Sequence, residues 1–203
     1  YRTRFFWKRA LGDITEAGMI SRTDALRIGQ MGMDDAIIKV LGNAKYDALS
    51  ALASPALYEE TARRFGLRTG EKFFVAGSTH PGEEDAVIRT YQAILNVRPD
   101  YGLILVPRHV ERTREVLELL RQKGIKEILT ASEMRAGRMR RGEKVLVIDV
   151  IGELFKVYSL AEIVYCGGSL VPRGGQNILE PAAWGKVVLY GPSMDDFSSE
   201  AAL

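Results

Sequence analysis

The stretch Ile163-Val164-Tyr165-Cys166-Gly167-Gly168-Ser169-Leu170-Val171-Pro172-Arg173-Gly174-Gly175-Gln176-Asn177-Ile178-Leu179-Glu180-Pro181 decides how this chain folds. Its first four residues are an apolar strand pattern. A glycine-rich loop follows, and then a short helical pattern from Ile178 to Trp184 that stops at Gly185. A glycine-rich loop at a helix start offers backbone N–H groups to an anion, usually a phosphate. Glu180 sits one turn into the helix; a carboxylate suits the two hydroxyls of a ribose better than it suits a phosphate. Read alone, the stretch also fits plain structure. Asn177 and Glu180 have the spacing of a capping box, and glycines before a helix can simply turn the chain.

The pattern repeats outward from this stretch. Apolar runs at 73–76, 103–106, 128–130, 145–148, 163–166 and 187–190 alternate with helical patterns at 83–97, 110–123, 154–160 and 178–184. The helix from Glu83 sets Val87, Ile88, Tyr91, Ile94 and Leu95 on one face. Such alternation predicts an α/β fold with a Rossmann-like, doubly wound parallel sheet. The Val/Ile/Leu-rich strands suit a sheet covered on both faces. Ahead of it, a strand at 14–21, a helix at 22–31 stopped by Gly32 and a strand at 37–41 form a separate block. We therefore expect residues 1–42 to end a preceding α/β domain and 43–203 to form a second, nucleotide-binding one. A helical connector at 51–66, broken near Ser54-Pro55, joins the two. Both ends of the chain read as cuts within a longer protein.

Composition narrows the classes. The 203 residues carry 28 basic and 26 acidic side chains, a net charge of +2, so no polyelectrolyte partner is implied. The one cysteine, Cys166, excludes a disulfide framework and reads as a buried small hydrophobe. Two separate histidines and one cysteine have no metal-ligand spacing. No apolar run is long enough to span a membrane. The tract 135–141, with Arg135, Arg138, Arg140 and Arg141, reads as a solvated basic loop rather than a nucleic-acid surface. At the start, Phe5, Phe6 and Trp7 among Arg2, Arg4, Lys8 and Arg9 suit either an anionic membrane interface or a helix packing its aromatics inward.

In open parallel sheets, ligands bind beyond the carboxyl ends of the strands. The unusual polar residues all fall there: His80 in Ser78-Thr79-His80, Arg108 and His109 after the second strand, Asp149 with Gly152-Glu153-Leu154 after the fourth, and the glycine loop after the fifth. Turn residues alone would not place His, Arg and Glu at one edge. Glu83 and Glu84 read as complements of a helix dipole. Arg108 suits a phosphate, or a surface ion pair with Glu111 or Glu115.

Taken in order, these motifs resemble the C-terminal domain of the 3-deoxy-D-manno-octulosonic acid (Kdo) transferases. The resemblance rests on Gly77-Ser78-Thr79-His80 with Gly82-Glu83-Glu84, Pro107-Arg108-His109 with Glu111-Arg112, Gly152-Glu153-Leu154, the Gly167–Pro181 stretch, and Gly191-Pro192 with Asp196-Phe197. It implies the C-terminal half of a GT-B glycosyltransferase. Such an enzyme moves Kdo, with inversion, from CMP-Kdo to a lipid A precursor at the cytoplasmic face of the bacterial inner membrane, with no metal or other cofactor. It implies a donor site in which His80 and Arg108 face the phosphate and sugar, Gly152, Glu153 and Leu154 border the cytosine, Ser169, Gly174 and Gly175 bind the donor nucleotide from the glycine loop, with the Gly174 and Gly175 N–H groups on the phosphate, and Asn177 and Glu180 hold the loop and the ribose. The catalytic base implied is a glutamate near the start of the N-terminal domain, so no catalytic residue is expected in this chain, which alone should bind CMP weakly and transfer nothing. Two positions depart from the family's pattern: Gln176 stands in place of His, and Val110 in place of Pro. A glutamine keeps one hydrogen bond but cannot titrate. The alternatives are a UDP-sugar transferase or sugar-nucleotide epimerase of similar fold, or a non-catalytic nucleotide-binding module.

Overall fold

A computed structural model describes residues 4–43, 45–68 and 70–202. The chain divides into two compact units, Tyr1–Ala51 and Leu52–Leu203.

The smaller unit holds α1 (Arg4–Leu11), β1 (Ala17–Met19), α2 (Arg22–Met31), a 3-10 turn at Asp35–Ile37, β2 (Ile38–Val40) and most of α3 (Lys45–Leu52). β1 and β2 pair in parallel. Ser21 caps α2 by accepting from the Asp24 N–H, and Gly32 ends it at φ 112°, a conformation that favours glycine. Phe5 and Phe6 on α1 are exposed.

The larger unit opens with α4 (Pro55–Arg64) and builds one parallel sheet from β3 (Lys72–Thr79), β4 (Tyr101–Pro107), β5 (Ile128–Thr130), β6 (Val145–Val147), β7 (Ala161–Cys166) and β8 (Val187–Leu189), in the order β5-β6-β4-β3-β7-β8. α5 (Glu84–Val97), α6 (Thr113–Gln122), α7 (Ala131–Arg135), α8 (Leu154–Tyr158), α9 (Leu179–Ala183) and α10 (Ser198–Ala201) complete it. Period-two alternation divides the core. Phe73 and Val75 of β3, with Ile104 and Val106 of β4, join Val157, Tyr158 and Ile178 on one face. Phe74 and Ala76, with Leu103 and Leu105, join Val87, Ile88, Tyr91, Val116 and Leu120 on the other. With both faces covered, the central strands need no polar side, which is why they read as continuous apolar runs.

This is the doubly wound α/β fold that the alternation predicts. The chain winds from β3 to β4 and on to the edge at β5, returns to β6 between β5 and β4, and then crosses to β7 on the other side of β3, so the winding reverses between β3 and β7. The sequence reading passed over α7. Its signal is a five-residue capping box, with Thr130 accepting from the Glu133 N–H and Glu133 reaching back to the Thr130 N–H, and it falls in a stretch dominated by arginines. The arginine tract is otherwise an exposed loop, as expected, but Arg140 departs from that reading. Arg140 forks onto Glu71 through Nη1 and Nη2, with its side chain only 3% exposed, and lies over the Phe73 ring. Arg138 bridges Glu133 and Glu143. Among the described residues no helix is long and apolar enough to cross a membrane.

Candidate functional site

The carboxyl ends of β3 and β7 lie side by side, and the chain is distorted there to bring their loops together. Gly167 donates to the Gly77 carbonyl at 2.8 Å. A Cβ on Gly167 would stand 2.3 Å from the Ser78 carbonyl oxygen, so only glycine fits. Ser78 takes φ 53°, the one described non-glycine residue with positive φ, where the β3–β4 register shifts between Gly77 and Thr79. Backbone strain of this kind is held in place only by surrounding contacts.

Those contacts come from Glu83. Its side chain is fully buried, and it accepts from the His80 N–H (2.8 Å), the Gly168 N–H (2.8 Å), the Ser169 and Leu170 N–H groups (3.0 Å each) and the Tyr165 hydroxyl (2.6 Å). Burial alone would push the carboxyl up; Tyr165 and the backbone donors outweigh it and hold the carboxyl below its ordinary value. The first N–H groups of the glycine loop thus already cradle an anion, and the anion belongs to the protein. The dipole role given to Glu83 and Glu84 is corrected accordingly. Glu84 is buried as well, bound by Thr79 Oγ1 and by Arg112 Nη1 at 2.7 Å.

The rest of the loop is also tied internally. The Gly174 N–H donates to Ser193 Oγ and the Gly175 N–H to the Gly168 carbonyl. A Cβ on Gly174 would meet Asp196 Oδ2 at 2.5 Å, and one on Gly175 would meet Met194 Sδ at 2.5 Å. These two N–H groups are therefore occupied by protein partners, not presented to a phosphate. Ser169 has the same fate. Its hydroxyl donates to the Cys166 carbonyl at 2.6 Å and accepts from the Gly191 N–H, which knots the β7 and β8 loops together. Glu153 is buried between Arg64 Nη1 (2.9 Å) and Arg135 Nη2 (2.8 Å), so its carboxylate is spent before any base could reach it. Gly152, at φ 85°, and Leu154, which packs against the core, shape the turn beside it. Asp149 accepts from the Ser132 N–H and hydroxyl.

What remains uncommitted is cationic. Arg108 and Arg173 are exposed and make no ion pair among the described residues. Their neighbour Arg112 takes Glu84 and Glu115 instead, which leaves Arg108 free of the surface pair considered for it. His80 is 9% exposed, and its Nε2 is enclosed without a hydrogen-bond partner. Its ring packs edge-on against that of His109, with centroids 5.8 Å apart, and lies close to Gly168. Burial lowers the His80 pKa; Glu83 opposes this, while Arg173, His109 and Arg108 push further down, so the imidazole is neutral at pH 7. A buried polar atom without a partner usually marks a strained or functional position. Arg173 lies within the Gly167–Pro181 stretch, but nothing in its local sequence separates it from a solvated arginine.

The ribose candidate differs from the loop in the same sense. Glu180 is partly buried; its only hydrogen-bond donor among the described residues is the Asn177 amide at 3.3 Å. Burial raises its carboxyl above the ordinary value, with the Asn177 bond acting against this. The Asn177 Oδ1 accepts from the Leu179 N–H, two residues on. The expected capping box is thus a local Asx turn with a side-chain link to Glu180, and the acid keeps acceptor capacity for hydroxyl donors. Behind it, Tyr158 and Cys166 are fully buried, and burial pushes the Cys166 thiol up to about 12, in keeping with a packing role. Among the described residues no three His, Cys, Asp or Glu side chains gather as metal ligands.

No protein-family model matches the chain. Individual relatives do. It is 31% identical over 191 residues, 94% of its own length, to a bifunctional glycosyltransferase/methyltransferase of Fusobacterium nucleatum. It is 32% identical over 176 residues, 84% of its length, to the 3-deoxy-D-manno-octulosonic acid transferase of Haemophilus influenzae. The chain spans 29% and 39% of those two relatives. Among solved structures it matches the C-terminal CMP-Kdo binding domain of WaaA from Acinetobacter baumannii, with a TM-score of 0.63 and 28% identity over 77% of each chain. By sequence and by fold, the chain is thus a relative of the 3-deoxy-D-manno-octulosonic acid transferases, of which it represents only part.

Proposed function

We propose that this chain is the donor-binding part of an inverting glycosyltransferase that moves Kdo from CMP-Kdo to a lipid A precursor. The observation that carries this reading is the convergence of Arg108, Arg173 and His80, whose Nε2 has no partner among the described residues, at the point where the sheet reverses, beside a glycine loop whose Gly168, Ser169 and Leu170 N–H groups are filled by Glu83. Reversal points of open parallel sheets are where nucleotides bind. The relatives' names and the CMP-Kdo binding of the WaaA domain support the choice of donor.

As the bond from the sugar to the phosphate breaks, negative charge grows on the departing CMP. Arg108 meets that charge with a forked guanidinium, and His80 Nε2–H or its lone pair finds its partner on the donor. Glu180, held by Asn177, accepts from the ribose hydroxyls. The turn at Gly152–Leu154 borders the base with its backbone, since the Glu153 carboxylate is committed to Arg64 and Arg135. Ser169, Gly174 and Gly175 serve the shape of the loop. Arg108 supplies at the phosphate the charge that a metal supplies elsewhere, so the reading is metal-independent. The acceptor and its activation belong to parts of the protein beyond this donor site. Exposed Phe5 and Phe6 beside Lys8 and Arg9 on α1 suit contact with the cytoplasmic face of an anionic inner membrane.

Calorimetric titration with CMP and UDP tests the reading. CMP should bind more tightly. Arg108→Ala and Glu180→Ala should each weaken it by roughly 10-fold or more, the worth of one charge-assisted contact, while the melting temperature holds. Equal affinity for CMP and UDP, or unchanged CMP affinity in both variants, would overturn it.

A further inference from the structure

Two unpaired guanidinium groups stand by His80, and a sugar-linked CMP phosphodiester offers only one negative charge. Arg108 follows β4, the strand beside β3, and its backbone N–H is tied to the Thr79 carbonyl at 2.9 Å. Arg173 comes from the other side, on the loop after β7. That loop is rigidly placed: the Arg173 N–H donates to the Val171 carbonyl at 2.7 Å, Val171 lies against Gly82, and Gly175 is bonded to Gly168 beside the His80 ring. The loop's neighbouring acid, Asp196, faces Gly174, and its backbone N–H donates to the Gly174 carbonyl. Glu83, the nearest buried carboxylate, has five donors already. Neither acid is paired with Arg173.

We infer that Arg173 is a specificity-determining residue that reads a second anion on the donor, the carboxylate carried by the sugar itself. The inference rests on the donor reading above. Arg108 then serves the phosphodiester and Arg173 the sugar acid, with the enclosed His80 Nε2 between the strands that carry them. A site built this way accepts nucleotide-linked sugar acids and discriminates against neutral sugars on the same nucleotide, because a neutral sugar would leave Arg173 without its partner. The planar fork of arginine suits a carboxylate, and a lysine would not reproduce it.

The test compares three probes by surface plasmon resonance on the whole chain: CMP, freshly prepared CMP-Kdo, and CMP-Kdo methyl ester, whose carboxylate is masked. The wild type should prefer the acid over the ester by about 10-fold, the value of one charge-assisted pair. Arg173→Gln should bring that ratio to within about two-fold and leave CMP affinity within about two-fold, since the side chain is exposed and makes no ion pair or side-chain hydrogen bond among the described residues. Arg108→Gln should weaken all three probes together. The inference is overturned if Arg173→Gln lowers CMP affinity as much as CMP-Kdo affinity, which would put both arginines on the phosphate. It is equally overturned if the variant keeps the wild-type ratio, or if the wild type binds CMP but does not distinguish acid from ester. A wild type that binds none of the three overturns the donor reading and this inference together.

Discussion

Replacing Glu83 by glutamine removes one charge and almost no volume, and the structure says what that should cost. One carboxylate oxygen accepts from Tyr165, Ser169 and Leu170, and the other from His80 and Gly168. A glutamine keeps one oxygen. Its best orientation leaves that oxygen on the three-donor side and turns the NH2 toward two backbone N–H groups. Two buried donors then lose their acceptor, at about 1–3 kcal/mol each, so Glu83→Gln should lose about 4 kcal/mol. For a unit of this size that is a fall in Tm of roughly 8–16 °C. Urea denaturation gives the free energy, and amide exchange at Gly168, Ser169 and Leu170 localises it. The loss also depends on pH. The folded carboxyl lies below its ordinary 4.5, so its stabilisation is complete above that value and disappears as pH falls through the folded pKa. Wild type and variant should therefore diverge at neutral pH and converge in acid, where a protonated Glu83 resembles glutamine. A Glu83→Gln chain within about 1 kcal/mol of wild type at pH 7, or a gap that widens in acid, would refute the assignment of Glu83 as the loop's internal anion.

Two further outcomes check the surrounding frame. Gly167→Ala should destabilise by roughly 3 kcal/mol or more, read from the urea midpoint, because its Cβ would press on the Ser78 carbonyl and neither backbone can yield. Arg140→Ala should cost about 1.5–3 kcal/mol by the same measurement, because it takes the charged donor from Glu71, which keeps the Arg68 N–H, and Arg140→Lys should recover only part of it.

The sheet was legible because its signal is local. Runs such as 103–106 and 128–130 carry their burial on their face, and β5 falls at Ile128–Thr130 as the pattern predicts. A helix end was legible where glycine marks it, as at Gly32 after α2, whereas Ser21, read as the end of a strand, caps that helix. The clustering of His80, Arg108, Glu180 and the glycine loop at one edge followed from topology alone, since parallel strands send all their carboxyl ends the same way. What stayed hidden were partnerships at long range. Glu83 meets Gly168 across 85 positions, Arg140 meets Glu71 across 69, and Arg64 meets Glu153 across 89. A lone acid at a helix start or a lone arginine in a basic tract looks the same whether its partner is water or a buried charge.

That ambiguity changes how a glycine-rich loop should be interpreted. A run of free N–H groups attracts an anion, but nothing in the run says whether the anion is a ligand or a side chain. Here Glu83 takes those of Gly168, Ser169 and Leu170, Ser193 and Gly168 take those of Gly174 and Gly175, and the loop is tied down before any donor arrives. The N–H groups of Gly168, Ser169, Leu170, Gly174 and Gly175 are thus committed from within, and their work is to hold the loop still. Positive charge for the donor's anions then falls to groups without an ion pair among the described residues, and at this edge those are Arg108 and Arg173 beside His80. The glycines locate the site and fix its geometry, while the arginines that flank them decide which anions it takes.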